Sequence, residues 1–268
     1  MDRITSGQNP VVKEVRALKN RKEREEKGLF FIEGLRIVDE ALSAGAPIKY
    51  AVLSGSFAAG AGLETAARLE AADVKTYVLP DSLFEALSET KTPQGLLAVL
   101  ELRRRRFDGA GFSGSLFVLL ENIRDPGNMG TIIRTADAAG FSGVVAAGGC
   151  VDVYNPKVLR STMGSVFHIP VFCHGDVADA LSVFKAGGFK TAASHISGSH
   201  TIYEADLTLP TVLVIGSEAE GISREVEEAS DMLVRIPMPG RAESLNASVA
   251  AGVMMYEALR QRLDKGAG

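Results

Sequence analysis

Cysteine is scarce: Cys150 and Cys173 are the only two in 268 residues. Two isolated cysteines make neither a C-x-x-C metal ribbon nor a disulfide framework, so reduced, structural thiols are expected. Long apolar runs are also missing. No stretch of about 18 uncharged hydrophobic residues is available to span a bilayer, and residues 1–6 lack the apolar core of a secretory signal. A cytoplasmic protein with no membrane attachment is the expectation. The four histidines, His168, His174, His195 and His200, show no paired ligand spacing, and no metal is implied. G-x-x-x-x-G-K-[ST], H-E-x-x-H and G-x-S-x-G are absent too, which removes phosphate-loop, zincin and hydrolase-elbow chemistry. Gly109, Gly111 and Gly114 do satisfy G-x-G-x-x-G. They follow an arginine run and precede a strand, whereas a dinucleotide fingerprint follows a strand and opens a helix. The match reads as linker, and a nicotinamide-dependent dehydrogenase would require it.

What the chain has is 46% hydrophobic and 23% charged residues, enough for one large domain or two small ones and incompatible with disorder. The net charge of −4 is unevenly spread. Residues 1–108 carry 17 Lys+Arg against 16 Asp+Glu, and residues 109–268 carry 12 against 17. Eight cations fall between residues 3 and 27, and Arg103 to Arg106 form a second basic block. Both blocks suit phosphate contact. Equally, residues 13–27 read as a solvated helix interleaved with Glu14, Glu23, Glu25 and Glu26, and the arginine run as an exposed linker.

Residues 8–100 form a small α/β unit in this reading. A polar helix follows Asn9-Pro10, where Asn caps and Pro fits the first turn. A second helix covers 33–44, with Leu35, Val38, Ala41 and Leu42 at helical spacing and Gly45 ending it. Strands are expected at 48–53, 74–79 and 96–100, with helices at 63–71 and 82–88. The glycine- and arginine-rich stretch 101–115 is a domain boundary. Beyond it, strands are expected at 116–120, 144–147, 169–172, 191–194, 211–215 and 233–236. Helices are expected at 129–139, 156–163, 177–186, 224–229 and 247–263. Near-uniformly apolar strands separated by helices imply a parallel sheet covered on both faces, with ligands at the carboxyl ends of its strands.

Three loops at those ends carry polar residues and glycines. The first, Glu121 to Arg134, joins a buried strand to a helix that Asn128 can cap, with Arg134 about a turn and a half further in. In the second, residues 214–222, Gly216 lets a ligand approach backbone, Gly221 supplies a turn, and Glu218 stands between them. In the third, residues 235–250, two prolines and Gly240 end a strand, and Ser244 or Asn246 caps a long small-residue helix. Each loop alone is explained by capping and turn chemistry.

Together and in this order, the three loops resemble the motifs of the SpoU (TrmH) branch of the SPOUT RNA methyltransferases, over nearly all of residues 113–263. Asn128 through Gly140, with Arg134-Thr135-Ala136-Asp137-Ala138, is similar to the first motif. Gly216-Ser217-Glu218 with Gly221 is similar to the second, and Ile236-Pro237-Met238 with Ser244-Leu245-Asn246-Ala247-Ser248 to the third. Ile4-Thr5-Ser6, Asn9-Pro10 and Phe31-Ile32-Glu33-Gly34 look like the substrate-binding domain attached to ribosomal-RNA members.

The resemblance implies an α/β fold class. A small N-terminal α/β RNA-binding domain (1–102) and a linker (103–115) precede a SPOUT α/β trefoil-knot methyltransferase domain (116–268). It implies methyl transfer from S-adenosylmethionine to a ribose 2′-hydroxyl. Ribosomal RNA, in particular 23S, stands ahead of transfer RNA as substrate, and a non-catalytic RNA-binding assembly factor is the alternative class. The cofactor would be held by backbone at Gly216, Ile236 and Leu245. Catalytic roles map to Arg134, Asn128, Glu218, Ser244 and Asn246. Arg134 is expected to clamp the target phosphate and ribose, because a guanidinium is a poor base and a good fork. RNA would be gripped through Arg16, Arg21, Lys22 and Arg24, and a homodimer would form through the C-terminal domain, with the site completed near the subunit interface.

Overall fold

The computed structural model describes residues 1–103, 107–109 and 113–266. Most of the second basic block and the middle of the discarded glycine match therefore lie outside the described residues. Contacts gather the chain into two compact units, Met1–Arg103 with Tyr154–Phe167, and Arg104–Val153 with His168–Gly268.

In the first unit the elements run β1 (Asp2–Arg3), α1 (Pro10–Ala17), α2 (Arg21–Lys27), β2 (Leu29–Glu33), α3 (Leu35–Ser43), β3 (Ile48–Ser54), α4 (Gly55–Ala59), α5 (Leu63–Ala71), β4 (Lys75–Leu79), α6 (Asp81–Leu87) and β5 (Leu96–Glu101). The sheet order is β1-β4-β3-β5-β2, with β5 antiparallel to both neighbours and the other pairs parallel. β1 and β2 were not expected. β2 is Leu-Phe-Phe-Ile-Glu, buried throughout, a short apolar run between Gly28 and Gly34 of the same kind as the strands expected in the second half of the chain. The polar stretch is two helices, because Asn20 accepts the Lys22 N–H and starts a second one just after Leu18 caps the first. α3 begins at Leu35 instead of residue 33, since Gly34 at φ +115° is outside helical space.

The second unit runs β6 (Leu116–Glu121), α7 (Pro126–Ala138), β7 (Gly143–Ala147), then α8 (Pro156–Thr162), whose Tyr154–Phe167 segment packs with the first unit, and on through β8 (Val171–Cys173), α9 (Val177–Ala186), β9 (Lys190–Ser194), β10 (His200–Thr201), β11 (Thr211–Ile215), α10 (Arg224–Ala229), β12 (Met232–Arg235) and α11 (Ala247–Asp264). Its seven strands are all parallel in the order β10-β12-β9-β11-β6-β7-β8. Phe117, Phe184 and Phe189 meet edge-on under the sheet, with ring centroids 5.3–5.5 Å apart. Truncating one such fully buried ring to Ala typically costs about 3–5 kcal/mol.

This strand order fixes the place of the site. From β6 the chain builds outward through β7 and β8, then returns to the opposite side for β9, β11 and β12. Leu120 pairs with Ile215, so the carboxyl ends of β6 and β11 lie side by side at the reversal, where open parallel sheets bind ligands.

Candidate active site

Loops that the sequence separates by about a hundred residues converge at that reversal. Asn128 lies in the first turn of α7, which opens at Pro126 behind Asp125. The expected capping role is therefore corrected: Asn128 is inside the helix, and its amide points out of it. Asn128 Nδ2 donates to Glu218 Oε1 at 2.8 Å. The same oxygen accepts from Asn246 Nδ2 and from the Ala247 N–H at 3.0 Å. Asn246 Nδ2 also lies 3.1 Å from Asn128 Oδ1. Of the two expected caps for α11, Asn246 is the one, accepting from Ser248 N at 3.0 Å and Val249 N at 3.3 Å. One carboxylate thus holds the start of α7 against the start of α11.

The loop that presents Glu218 is closed on itself. Ser217 and Gly221 exchange both backbone hydrogen bonds, at 3.1 and 2.9 Å, and Ser217 Oγ accepts from Glu220 N. A Cβ on Gly216 would lie 2.1 Å from the Gly221 carbonyl oxygen, so glycine is required there by the turn itself. Beneath it, Glu121 at the end of β6 is 3% exposed. Its Oε2 accepts the N–H of Ser223, the N-cap of α10, at 2.8 Å. The sequence motifs assign Glu121 no role. Its signal, an acidic residue closing an otherwise apolar strand, was visible. Above the loop, exposed Arg124 and Glu220 pair at 3.6 Å.

The other expected catalytic residues are not joined to this cluster by hydrogen bonds. Arg134 is exposed on α7. Six residues beyond Asn128, it is about 240° further around the helix axis. Ser244 is exposed in the irregular stretch before α11. Neither side chain has a hydrogen-bond or ion-pair partner among the described residues. Gly216 and Ile236 close β11 and β12, with β9 between those strands, and Leu245 precedes the cap of α11. Sequence reading missed that His195, Ile196 and Ser197, which leave β9, stand between Gly216 and Ile236. Ile196 is 77% exposed there.

In the first unit, the expected RNA contact Arg24 is corrected. It is 2% exposed, and its Nη1 donates to the Leu18 and Lys19 carbonyls at 2.7 and 2.9 Å, ending α1. A guanidinium enclosed this way cannot reach a phosphate. Arg21 and Lys22 are exposed and face Glu25 and Glu26 one turn on, at 3.0 and 3.6 Å. Arg16 is exposed and unpaired among the described residues.

Neither cysteine forms a disulfide. Burial pushes the Cys150 thiol up to about 11, which keeps it neutral and unreactive, whereas Cys173 is exposed. No cluster of metal-ligating side chains occurs among the described residues, and no described helix is long and apolar enough to cross a membrane.

A model of the SpoU rRNA Methylase family matches residues 115–256, and one of an MRM3-like substrate binding domain matches residues 9–98. The chain is 34% identical to the 23S rRNA (guanosine(2553)-2'-O)-methyltransferase RlmP of Bacillus subtilis, over 96% of this chain and 98% of that one. It is 35% identical to the 23S rRNA (uridine(2479)-2'-O)-methyltransferase of Streptomyces viridochromogenes, over 92% and 88%. Among solved structures, an AdoMet-bound rRNA methyltransferase from Sinorhizobium meliloti superposes with a TM-score of 0.86 at 36% identity, covering 97% of each chain. The SpoU methyltransferase AviRb from Streptomyces viridochromogenes, in complex with AdoMet, superposes at 0.84 and 31% identity, covering 96% of this chain and all of that one.

Proposed function

We propose, on the premise that this chain belongs to the SpoU rRNA methylase family, that its substrate is 23S ribosomal RNA and that one ribose 2′-hydroxyl is the group modified. The chain is an RNA 2′-O-methyltransferase that uses S-adenosylmethionine. The observation that carries this reading is the convergence of the Asn128 and Asn246 side-chain amides and the Ala247 N–H on one Glu218 carboxylate oxygen at the switch point of a parallel sheet.

The residues at this edge fit the cofactor. Gly216 and Ile236, just past the ends of β11 and β12, and Leu245, just before the cap of α11, offer backbone donors and acceptors, and are residue types that let an adenosine lie against main chain. The open side chain of Ile196 is suited to cover an aromatic face. The cofactor supplies an electrophilic methyl group. The protein's own residues align the ribose and ease loss of the hydroxyl proton. Arg134 holds the target phosphate and ribose in its fork and lowers the cost of developing alkoxide charge. Asn128 and Asn246, fixed by Glu218, orient the ribose edge, and Ser244 contacts substrate or cofactor from the loop before α11.

A homodimer through the second unit is part of the proposal, as is the knotted backbone expected of the fold. Val249, Tyr256 and Leu263 recur every seven residues along α11 and are half exposed or more, an apolar stripe that a second helix pair would cover. Arg134 makes no hydrogen bond to the Asn128–Glu218–Asn246 cluster of its own chain and stands about 120° around α7 from Asn128, which suits a site completed at the interface. Residues 1–102 serve RNA binding, 103–115 link, and 116–268 carry the chemistry.

The test is transfer of labelled methyl to unmodified ribosomal and transfer RNA pools, with Arg134→Ala as control. Label recovered from 23S RNA as an alkali-resistant 2′-O-methyl dinucleotide, lost in the variant, is expected. Label in transfer RNA instead would overturn the substrate assignment. Cofactor binding with no transfer to any RNA or ribosomal particle would favour the assembly-factor reading.

A further inference from the structure

Of the helix surface expected to hold RNA in the first unit, the α2 part is electrically quiet, and only Lys13 and Arg16 on α1 are left unpaired among the described residues. Arg21, Lys22 and Lys27 on α2 each face a glutamate one turn away, and Arg24 is internal. The cations of Met1–Arg103 without a partner among the described residues are Arg3, Lys13, Arg16, Arg36 and Lys91. Three of them lie elsewhere, at one edge of the sheet. β1, β4, β3 and β2 all run in one direction, so their carboxyl ends share an edge with the start of antiparallel β5. Arg3 ends β1, Arg36 opens α3 just after β2, and Lys91 lies in the 88–95 loop that leads into β5.

That loop is held by buried chemistry. Glu33, 7% exposed at the end of β2, accepts from Ser88 Oγ, from Glu89 N at 2.9 Å and from Thr90 Oγ1 at 2.8 Å. Gln94 Oε1 accepts the Leu35 N–H at 2.8 Å, fixing the other end of the loop to the first turn of α3. Lys19 ties the end of α1 to the same loop through Glu89 at 2.8 Å. A buried carboxylate satisfied only by an exposed loop fixes that loop's shape and the position of Lys91 on it. Along the same edge, over β1, β4 and β3, lies an open groove of about 560 Å³ lined by Arg3, Ile4, Thr5, Ala59, Leu79 and Pro80 among others. Its lining is mostly apolar with one cation, Arg3, and its volume is ample for one nucleobase. Asp81, the exposed residue after Pro80, accepts the Ser56 N–H at 2.9 Å.

The geometry points to this carboxyl edge as the RNA-gripping surface of the first unit: Arg36, Lys91 and Arg3 contact phosphates of an unpaired RNA segment, and the groove beside Arg3 takes one unstacked base. This rests on the RNA-methyltransferase reading above and names where the substrate is held. Unpaired RNA is the form whose bases are free to enter such a slot, while phosphate contacts set the register.

The experiment compares the full-length wild type, Arg36→Glu/Lys91→Glu, Ala59→Trp and, on the α2 surface, Arg21→Glu/Lys22→Glu. Each is measured for filter binding and methyl transfer with unmodified 23S RNA transcribed in vitro. Melting temperature and S-adenosylmethionine affinity serve as controls and are expected to match wild type in all three variants. The edge double variant is expected to bind RNA at least ten-fold more weakly, with the slope of log K against log salt reduced by about 1.4 for two lost phosphates. Ala59→Trp is expected to weaken binding as strongly with the salt slope unchanged, and the α2 variant to stay within about three-fold of wild type. An α2 variant weakened as much as the edge variant, or an edge variant that binds like wild type, overturns the surface. Normal binding by Ala59→Trp overturns the base slot alone. Wild-type protein that binds 23S RNA but transfers no methyl would refute the catalytic reading and leave the binding comparison valid.

Discussion

The side-chain amide of Asn128 donates to Glu218 Oε1 at 2.8 Å across 90 positions of sequence. Because Asn246 and the Ala247 N–H converge on the same oxygen, Glu218 is the joint between the two helices that frame the site. Glu218→Ala leaves the Asn128 amide and the Ala247 N–H without an acceptor, while Asn246 keeps Asn128 Oδ1, so the stability cost is about 1–3 kcal/mol. Its effect on kcat is expected to be at least ten-fold, since Asn128 and Asn246 lose their common anchor. Glu218→Gln, which keeps an acceptor oxygen, is expected to recover part of it. Single-turnover methyl transfer with saturating RNA measures this, and a Glu218→Ala enzyme with wild-type kcat would make the joint purely architectural.

Arg134 has no intramolecular partner among the described residues, so its replacement disturbs little in the fold. Arg134→Lys retains the positive charge but loses the planar fork that grips phosphate at two points. A fall in kcat/KM of a hundred-fold or more is expected, with melting temperature and S-adenosylmethionine affinity unchanged. Turnover near wild type by the lysine variant would show that charge alone suffices.

Most of the alternation of the second unit was legible because its strands are short apolar runs bounded by turn residues, and its helices open on Asp, Ser, Asn or Pro. The motif loops were legible as well, yet their mutual contacts were not. Nothing local in residues 126–134 says that Asn128 faces a carboxylate 90 positions later, because that pairing follows from the strand order. Arg24 shows the converse error. In sequence it is one more cation in a basic helix, and only the packing of α2 on the end of α1 reveals that its guanidinium caps carbonyls. β2 is a run of the same kind, Leu29 to Glu33 buried throughout between Gly28 and Gly34, so the rule that found the second unit's strands applies to it, and it was missed.

Glu121 supports the Glu218 loop from below through the Ser223 N–H. Glu121→Gln retains an oxygen in the accepting position and is expected to keep the wild-type melting temperature and a kcat within about three-fold of wild type. Glu121→Ala releases the base of the loop and opens a small void, so kcat is expected to fall about ten-fold or more while KM for RNA stays unchanged. Should Glu121→Ala lower only the melting temperature, with kcat intact below it, Glu121 holds the sheet and not the site.

Oligomeric state decides whether Arg134 acts in its own chain or across an interface. The exposed stripe of Val249, Tyr256 and Leu263 on α11 predicts that Tyr256→Asp/Leu263→Asp sediments as a monomer where the wild type sediments as a dimer, since charges placed in an apolar contact oppose its burial. The α11 face concerned is solvent-exposed in the single chain, so the monomer is expected to stay folded, with an unchanged far-ultraviolet spectrum. If Arg134 reaches the partner's cofactor site, that folded monomer is inactive. Mixing it is then uninformative, but mixing Arg134→Ala with Asn246→Ala subunits restores activity, because one of the two sites in the heterodimer carries neither lesion. Full activity of the monomer would instead place Arg134 and the Glu218 cluster in one chain's site.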